Sequence, residues 1–187
     1  DEANKLYYTY YTGHTADTEV VMRATSTDFK TWSKDRTFFL PGSNDGYSRK
    51  DFRDPFIFES ESGKYHMIVS TKKDGIGVLA EYTSTDLKAW EHAGVFMPMH
   101  WGADRFYECA DVFKMGDWWY LVFSEYSDGN KTRYRMSKSI NGPWITPADD
   151  SFDGRAYYAA RTAFDGERRV LFGWVPTRDE GGDPSSY

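Results

Sequence analysis

STDLKAW, from Ser84 to Trp90, has a near-copy earlier in the chain: STDFKTW, from Ser26 to Trp32. A looser third copy, SKSINGPW, runs from Ser137 to Trp144. Working outward from each copy, an aromatic stretch lies upstream: KLYYTYYTG (5–13), KYHMIVSTKK (64–73) and DWWYLVFSEY (117–126). A fourth, RRVLFGWV (168–175), has no such copy after it. Three of the four stretches follow a short apolar run and a polar turn: DPFIF with ESESG, CADVF with KMGD, ARTAF with DGE. Aromatic and β-branched residues in short runs, separated by Gly, Asp and Ser, read as strands and turns. No 3.6-residue periodicity suggests an amphipathic helix.

Each unit therefore reads as four strands: the apolar run, the aromatic stretch, the segment leading into Ser-x-Asp, and the segment after the tryptophan. Four-stranded units of roughly 40–50 residues, repeated along a chain, mark an all-β propeller. The expected division is a partial blade over about 1–49, blades over about 50–103 and 104–152, and a partial blade over about 153–187. That is about three and a half blades of one domain, where rings typically close with four to eight. At least one further strand is expected before Asp1. Asp28 and Asp86 are expected to form turns, and Trp32, Trp90 and Trp144 to pack the blades.

Composition narrows the functions. Of 187 residues, 18% are aromatic (14 Tyr, 13 Phe, 7 Trp), and these rings stack well on flat ligands such as sugars. The net charge is −6 with no basic run, which argues against a nucleic-acid partner. No apolar stretch reaches the roughly 20 residues of a membrane helix. The four histidines are scattered and show no metal-ligand spacing. Neither a metal nor a cofactor is expected.

The first strand of a blade lines a propeller's central channel. Two first strands begin with charged residues: Arg53-Asp54-Pro55-Phe56, and the run YECADVF from Tyr107 to Phe113. Aligning Phe58 with Phe113 sets Asp54 opposite Cys109 and Arg53 opposite Glu108. Burying such charges without partners is costly, so a pocket that takes a polar ligand is the expected reason for them. Asp54 and Glu108 are expected to converge on one cavity.

At these residues the chain resembles glycoside hydrolase family 32, the invertases, inulinases and levanases. Arg53-Asp54-Pro55 and Glu108-Cys109 match its Arg-Asp-Pro and Glu-Cys motifs; YYTGH (10–14), YYAARTAF (157–164) and Gly173-Trp174 add support. The resemblance implies a five-bladed propeller and retaining hydrolysis of β-fructofuranosidic bonds in sucrose or fructans. Glu108 would be the general acid/base. Asp54 would stabilise the transition state through sugar hydroxyls, and Arg53 would pair with carboxylates and reach the sugar. Trp174 would wall the site; Trp101 and Tyr107 flank Glu108 as candidate subsite residues, with packing as the equal alternative, and Cys109 is a small neighbour of the acid. An oxocarbenium-like transition state needs a proton for the leaving oxygen and negative charge near the anomeric carbon.

The resemblance also marks departures. The family's nucleophile is the aspartate of an Asn-Asp-Pro motif, and none occurs here; SNDGY (43–47) supplies only Asn-Asp. The nucleophile's blade is thus expected outside the chain, and this chain alone is expected to be inactive. Ala110 stands where many relatives have proline. Two rival readings stay open: a five-bladed propeller glycosidase acting on arabinan or xylan, and a sugar-binding propeller without catalysis. Secretion, to the extracellular space or periplasm, is favoured over the cytoplasm for an enzyme acting on polymers.

Overall fold

The computed structural model describes residues 1, 4–99, 105–126, 129–152 and 156–175. Two compact units are present, Asp1–Asp104 and Arg105–Tyr187. Each is built of antiparallel sheets, and among the described residues the only helical turn is the 3₁₀ segment Gly42–Asp45.

The first unit holds two sheets. Strands β1 (Tyr7–His14), β2 (Glu19–Ser26) and β3 (Ser33–Leu40) form one in that order; β4 (Phe52–Glu59), β5 (Tyr65–Lys73), β6 (Ile76–Ser84) and β7 (Glu91–Pro98) form the other. The second unit holds β8 (Glu108–Met115), β9 (Trp118–Glu125) and β10 (Lys131–Ser137) in one sheet, and β11 (Tyr158–Phe164) with β12 (Arg169–Trp174) in another. The sequence repeat is a repeat of register. Tyr7 pairs with Ser26, Tyr65 with Ser84, and Trp119 with Ser137, so the residue facing the start of the turn is aromatic in all three sheets.

Burial follows position in the sheet. Central strand β5 is buried without interruption from Met67 to Thr71, whereas outer strands β3 and β7 are largely exposed. Strands covered on both faces lose the alternation of a half-buried sheet. Val21, Tyr47, Phe52, Met67, Val69, Val78, Ala80 and Tyr82 make one core of the first unit, with Tyr10, Ile57 and Trp90 packed against it. Gly42 is required there: a Cβ would sit 2.2 Å from the Phe52 ring. In the second unit Val112, Leu121 and Phe123 are buried.

The recurring Ser-x-Asp segment closes each hairpin by its own hydrogen bonds. Asp28 Oδ1 accepts from the backbone of Lys30 and Thr31, each at 2.8 Å. Asp86 Oδ1 accepts from Lys88 at 2.8 Å and Ala89 at 3.0 Å. The residue after each aspartate is left-handed, Phe29 at φ 59 and Leu87 at φ 61. Arg23 and Tyr10 tie the first sheet to the second turn: Arg23 donates to the carbonyls of Leu87 and Lys88, and the Tyr10 hydroxyl to that of Leu87. Trp90 returns the contact through Nε1 to the Tyr10 hydroxyl at 3.1 Å.

One expectation needs correction. The segment after Trp144 does not form a fourth strand on β10; it makes isolated bridges only, Met136 with Ile145 and Arg133 with Ser151. Pro147 removes a donor that a continuous ladder through this segment would need. Charge holds the segment instead: Asp150 accepts from Arg133 at 2.6 Å and from Arg135 at 2.5 Å.

Candidate active site

Three strands carry the same irregularity at their starts. On β4 the register slips between Arg53, opposite Ser70, and Phe56, opposite Ile68. On β8 it slips between Glu108, opposite Ser124, and Asp111, opposite Val122. On β11 it slips between Tyr158, opposite Trp174, and Arg161, opposite Phe172. Each is a one-residue β-bulge, and each places a non-glycine residue in the left-handed region: Asp54 at φ 56, Cys109 at φ 52, Ala159 at φ 53. Such backbone costs on the order of 1–3 kcal/mol and persists where the surroundings over-determine it, as at functional sites. Bulges re-aim the flanking side chains. Asp54 is therefore equivalent to Cys109 and Ala159, and Arg53 to Glu108 and Tyr158.

In the first unit, neighbouring strands hold the Arg53-Asp54 bulge. Arg53 Nη1 lies 2.9 Å from Glu19 Oε2 and 3.4 Å from Asp51 Oδ1. The same Glu19 oxygen accepts from the Phe52 backbone at 2.9 Å. Thr12 Oγ1 accepts from the Asp54 backbone N–H at 3.1 Å, fixing the left-handed residue from β1. Arg53 thus meets carboxylates, chiefly that of Glu19, which a motif-by-motif reading does not single out.

In the second unit, Glu108 is half-buried and accepts a hydrogen bond from the Tyr158 hydroxyl. Burial first, and then that bond to Glu108, push the Tyr158 phenol well above its ordinary 10.0. The two bulges are stitched together around this pair. Arg161 donates to the Ala110 carbonyl at 2.9 Å, and Asp111 Oδ2 accepts from Thr162 N at 2.6 Å and Thr162 Oγ1 at 2.7 Å. Trp174 stands opposite Tyr158 and is 60% exposed. Gly173 beside it admits the Tyr157 ring, which a Cβ would meet at 2.4 Å.

The remaining expected residues fall differently. Tyr107 is 3% exposed and lies edge-on to Phe123 at 4.7 Å, so its ring serves packing and not a sugar subsite. Cys109, the chain's single cysteine, is half-buried at the bulge. Trp101 lies outside the described residues. Arg53 and Asp54 belong to the first unit, and Glu108, Cys109, Tyr107 and Trp174 to the second.

A protein-family model described as the glycosyl hydrolases family 32 N-terminal domain matches residues 1–185. The chain belongs to glycosyl hydrolase family 32. Among curated relatives, a sucrose-6-phosphate hydrolase of Escherichia coli is 29% identical over 88% of this chain and 38% of its own length. An insoluble-isoenzyme β-fructofuranosidase of Arabidopsis thaliana is 28% identical over 80% of this chain and 30% of its own. The crystal structure of fructan 1-exohydrolase IIa from Cichorium intybus superposes with a TM-score of 0.73 at 19% identity, covering 94% of this chain and 39% of that one. Family 32 membership and these neighbours make the four sheets blades of a β-propeller, as the repeat predicts. The chain spans well under half the length of the relatives it matches.

Tyr158 and Glu19 are the contacts the sequence reading misses. The three apolar runs end on Phe58, Phe113 and Phe164, and lining up those rings sets Ala160 at the bulge. The registers align Ala163, not Phe164, with Phe113: Ala163 lies two residues past Arg161, as Phe113 lies two past Asp111. That one-residue shift brings Tyr158 to the place of Glu108. Glu19 precedes the apolar core residues of β2 and carries no motif of its own.

Proposed function

We propose that this chain is part of a β-fructofuranosidase-type glycosidase that cleaves sucrose or fructans with retention. The recurrence of one left-handed bulge at both family motifs carries the reading: it treats Arg53-Asp54 and Glu108-Cys109 as a built feature and not as chance matches. Glu108 acts as general acid, passing its proton to the glycosidic oxygen as the bond to the anomeric carbon breaks. It then acts as general base, taking a proton from the water that releases the fructosyl group. Asp54 meets sugar hydroxyls and favours the positive charge that develops on the ring. Arg53, held by Glu19 and Asp51, keeps the strand start in place and reaches the sugar. The exposed face of Trp174 offers a wall for the ring. Asn-Asp-Pro is absent from these residues, so the nucleophile is assigned to sequence outside them. Neighbours from Bombyx mori and Cichorium intybus solved with sucrose and 1-kestose fit a carbohydrate partner of this class.

In the full-length protein, Glu108→Gln is expected to lower kcat on sucrose, inulin or levan by about 10²–10⁴-fold while leaving sugar binding largely intact. Unchanged turnover would remove Glu108 from the mechanism. A second reading is a sugar-binding propeller without hydrolysis, which sequence outside these residues holding no Asn-Asp-Pro would favour. Binding of these sugars by a wild-type protein with no turnover on them, on sucrose 6-phosphate or on an arabinofuranoside would select it.

A further inference from the structure

Tyr158 has no part in the chemistry above, yet its hydroxyl donates to the side chain of Glu108. It reaches Glu108 from the third copy of the bulge, on a strand that contacts β8 directly. The ring is held in place: Arg161 and Thr162, three and four residues on, bind the backbone and side chain of β8 at Ala110 and Asp111. The ionisable groups that raise the phenol are Glu108, Cys109 and Tyr126. Each of these, and burial above all, keeps the proton on the phenol. Tyr158 is therefore a hydrogen-bond donor throughout the pH range in which a glycosidase works.

Resting on the assignment of Glu108 as acid/base, we propose that Tyr158 is the positioning residue for that group: its O–H holds Glu108 Oε2 as an acceptor and so orients the carboxyl group whose proton moves. The consequences are directional. A donor fixed on one oxygen sets the plane of the carboxyl group, and a 1 Å error in placement is enough to slow a reaction about 10²-fold. The same bond is stronger to the ionised than to the protonated carboxyl, so it stabilises the carboxylate formed when the proton is delivered. No proton leaves Tyr158 at any step; the proton goes from the Glu108 carboxyl to the glycosidic oxygen, and the carboxylate later takes one from water.

The test uses Tyr158→Phe in the full-length protein, a change that keeps the ring and removes only the donor. With sucrose as substrate, kcat is expected to fall about 10–100-fold with KM changed less than about threefold. The alkaline limb of the kcat/KM–pH profile moves to higher pH, because the variant's carboxylate has lost its stabilising donor. A merely structural role would leave that limb in place. A second measurement is independent of turnover: urea midpoints at pH 7 for Tyr158→Phe, Glu108→Ala and the double variant. The two single shifts are expected to exceed the double shift when summed. A limb that stays or moves to lower pH, kcat within twofold of wild type, or additive midpoints would each overturn the proposal. Wild-type turnover in Glu108→Gln would instead overturn the reading on which it rests.

Discussion

Asp54, Cys109 and Ala159 show what one backbone angle does for this chain. Each has φ near +55° (56, 52 and 53), where residues with a Cβ are rarely found and β-branched ones hardly at all. Asp and Asn tolerate this region because a short polar side chain can bond locally. Charge and conformation can therefore be separated at Asp54. Asp54→Asn is expected to keep the melting temperature within about 2 °C of wild type and still lose turnover by about 10²-fold or more. Asp54→Val is expected to lower the melting temperature by several degrees, since it forces a branched side chain into the left-handed region. Thermal unfolding beside kinetics on sucrose checks both. A large stability loss in Asp54→Asn would mean that the carboxylate serves the fold. At this scale the equivalence of Arg53 with Glu108 is legible in sequence, because Phe58 and Phe113 keep the strands in phase. Tyr158 is not legible, because the phase slips by one residue in the last sheet.

The hairpins are the most legible elements. A serine, an aspartate two residues on and a left-handed residue after it describe a turn whose bonds are local, so near-identical sequences give near-identical geometry at Ser26 and Ser84. Those backbone bonds hold the Asp28 and Asp86 carboxyls below the ordinary 3.8. Asp86→Ala removes both acceptor bonds and is expected to lower the melting temperature by on the order of 3 °C. Asp86→Asn, whose amide oxygen still accepts, is expected to lose less than half of that. Equal losses would show that the charge matters more than the turn bonds. The third copy keeps one of the same bonds, Ser139 N–H to Ser137 Oγ at 3.1 Å as Asp28 and Asp86 make to Ser26 and Ser84 at 3.2 Å, while Ser139 Oγ replaces the carboxylate and accepts from Asn141 N–H at 3.2 Å. Its following strand fails because Pro147 removes a donor there and a buried Asp150 takes over the contact.

Across the whole molecule, high aromatic content becomes a titration property. Burial is the leading cause raising the phenols of Tyr10, Tyr47, Tyr82, Tyr107 and Tyr158 above 10.0, with Tyr47 pushed up to about 12. Above pH 10 the unfolded chain ionises these groups while the folded chain resists, so the unfolded state binds fewer protons. Stability is complete below pH 10 and declines as the pH rises toward 12 and beyond. Urea midpoints measured between pH 8 and 11.5 are expected to stay level to about pH 9.5 and then fall. A flat profile to 11.5 would show that these phenols ionise alike in both states. The amino-acid sequence by itself determined the all-β class, the repeat, the hairpin turns and the strand starts that bear charge. These depend on side-chain period and turn chemistry, which act over a few residues. Tertiary structure alone decided that Glu19 holds Arg53, that Tyr158 reaches Glu108 and that Tyr107 turns inward. Such contacts join residues tens of positions apart, and their pairing follows from how the sheets of each unit pack and from a bulge that shifts register by one.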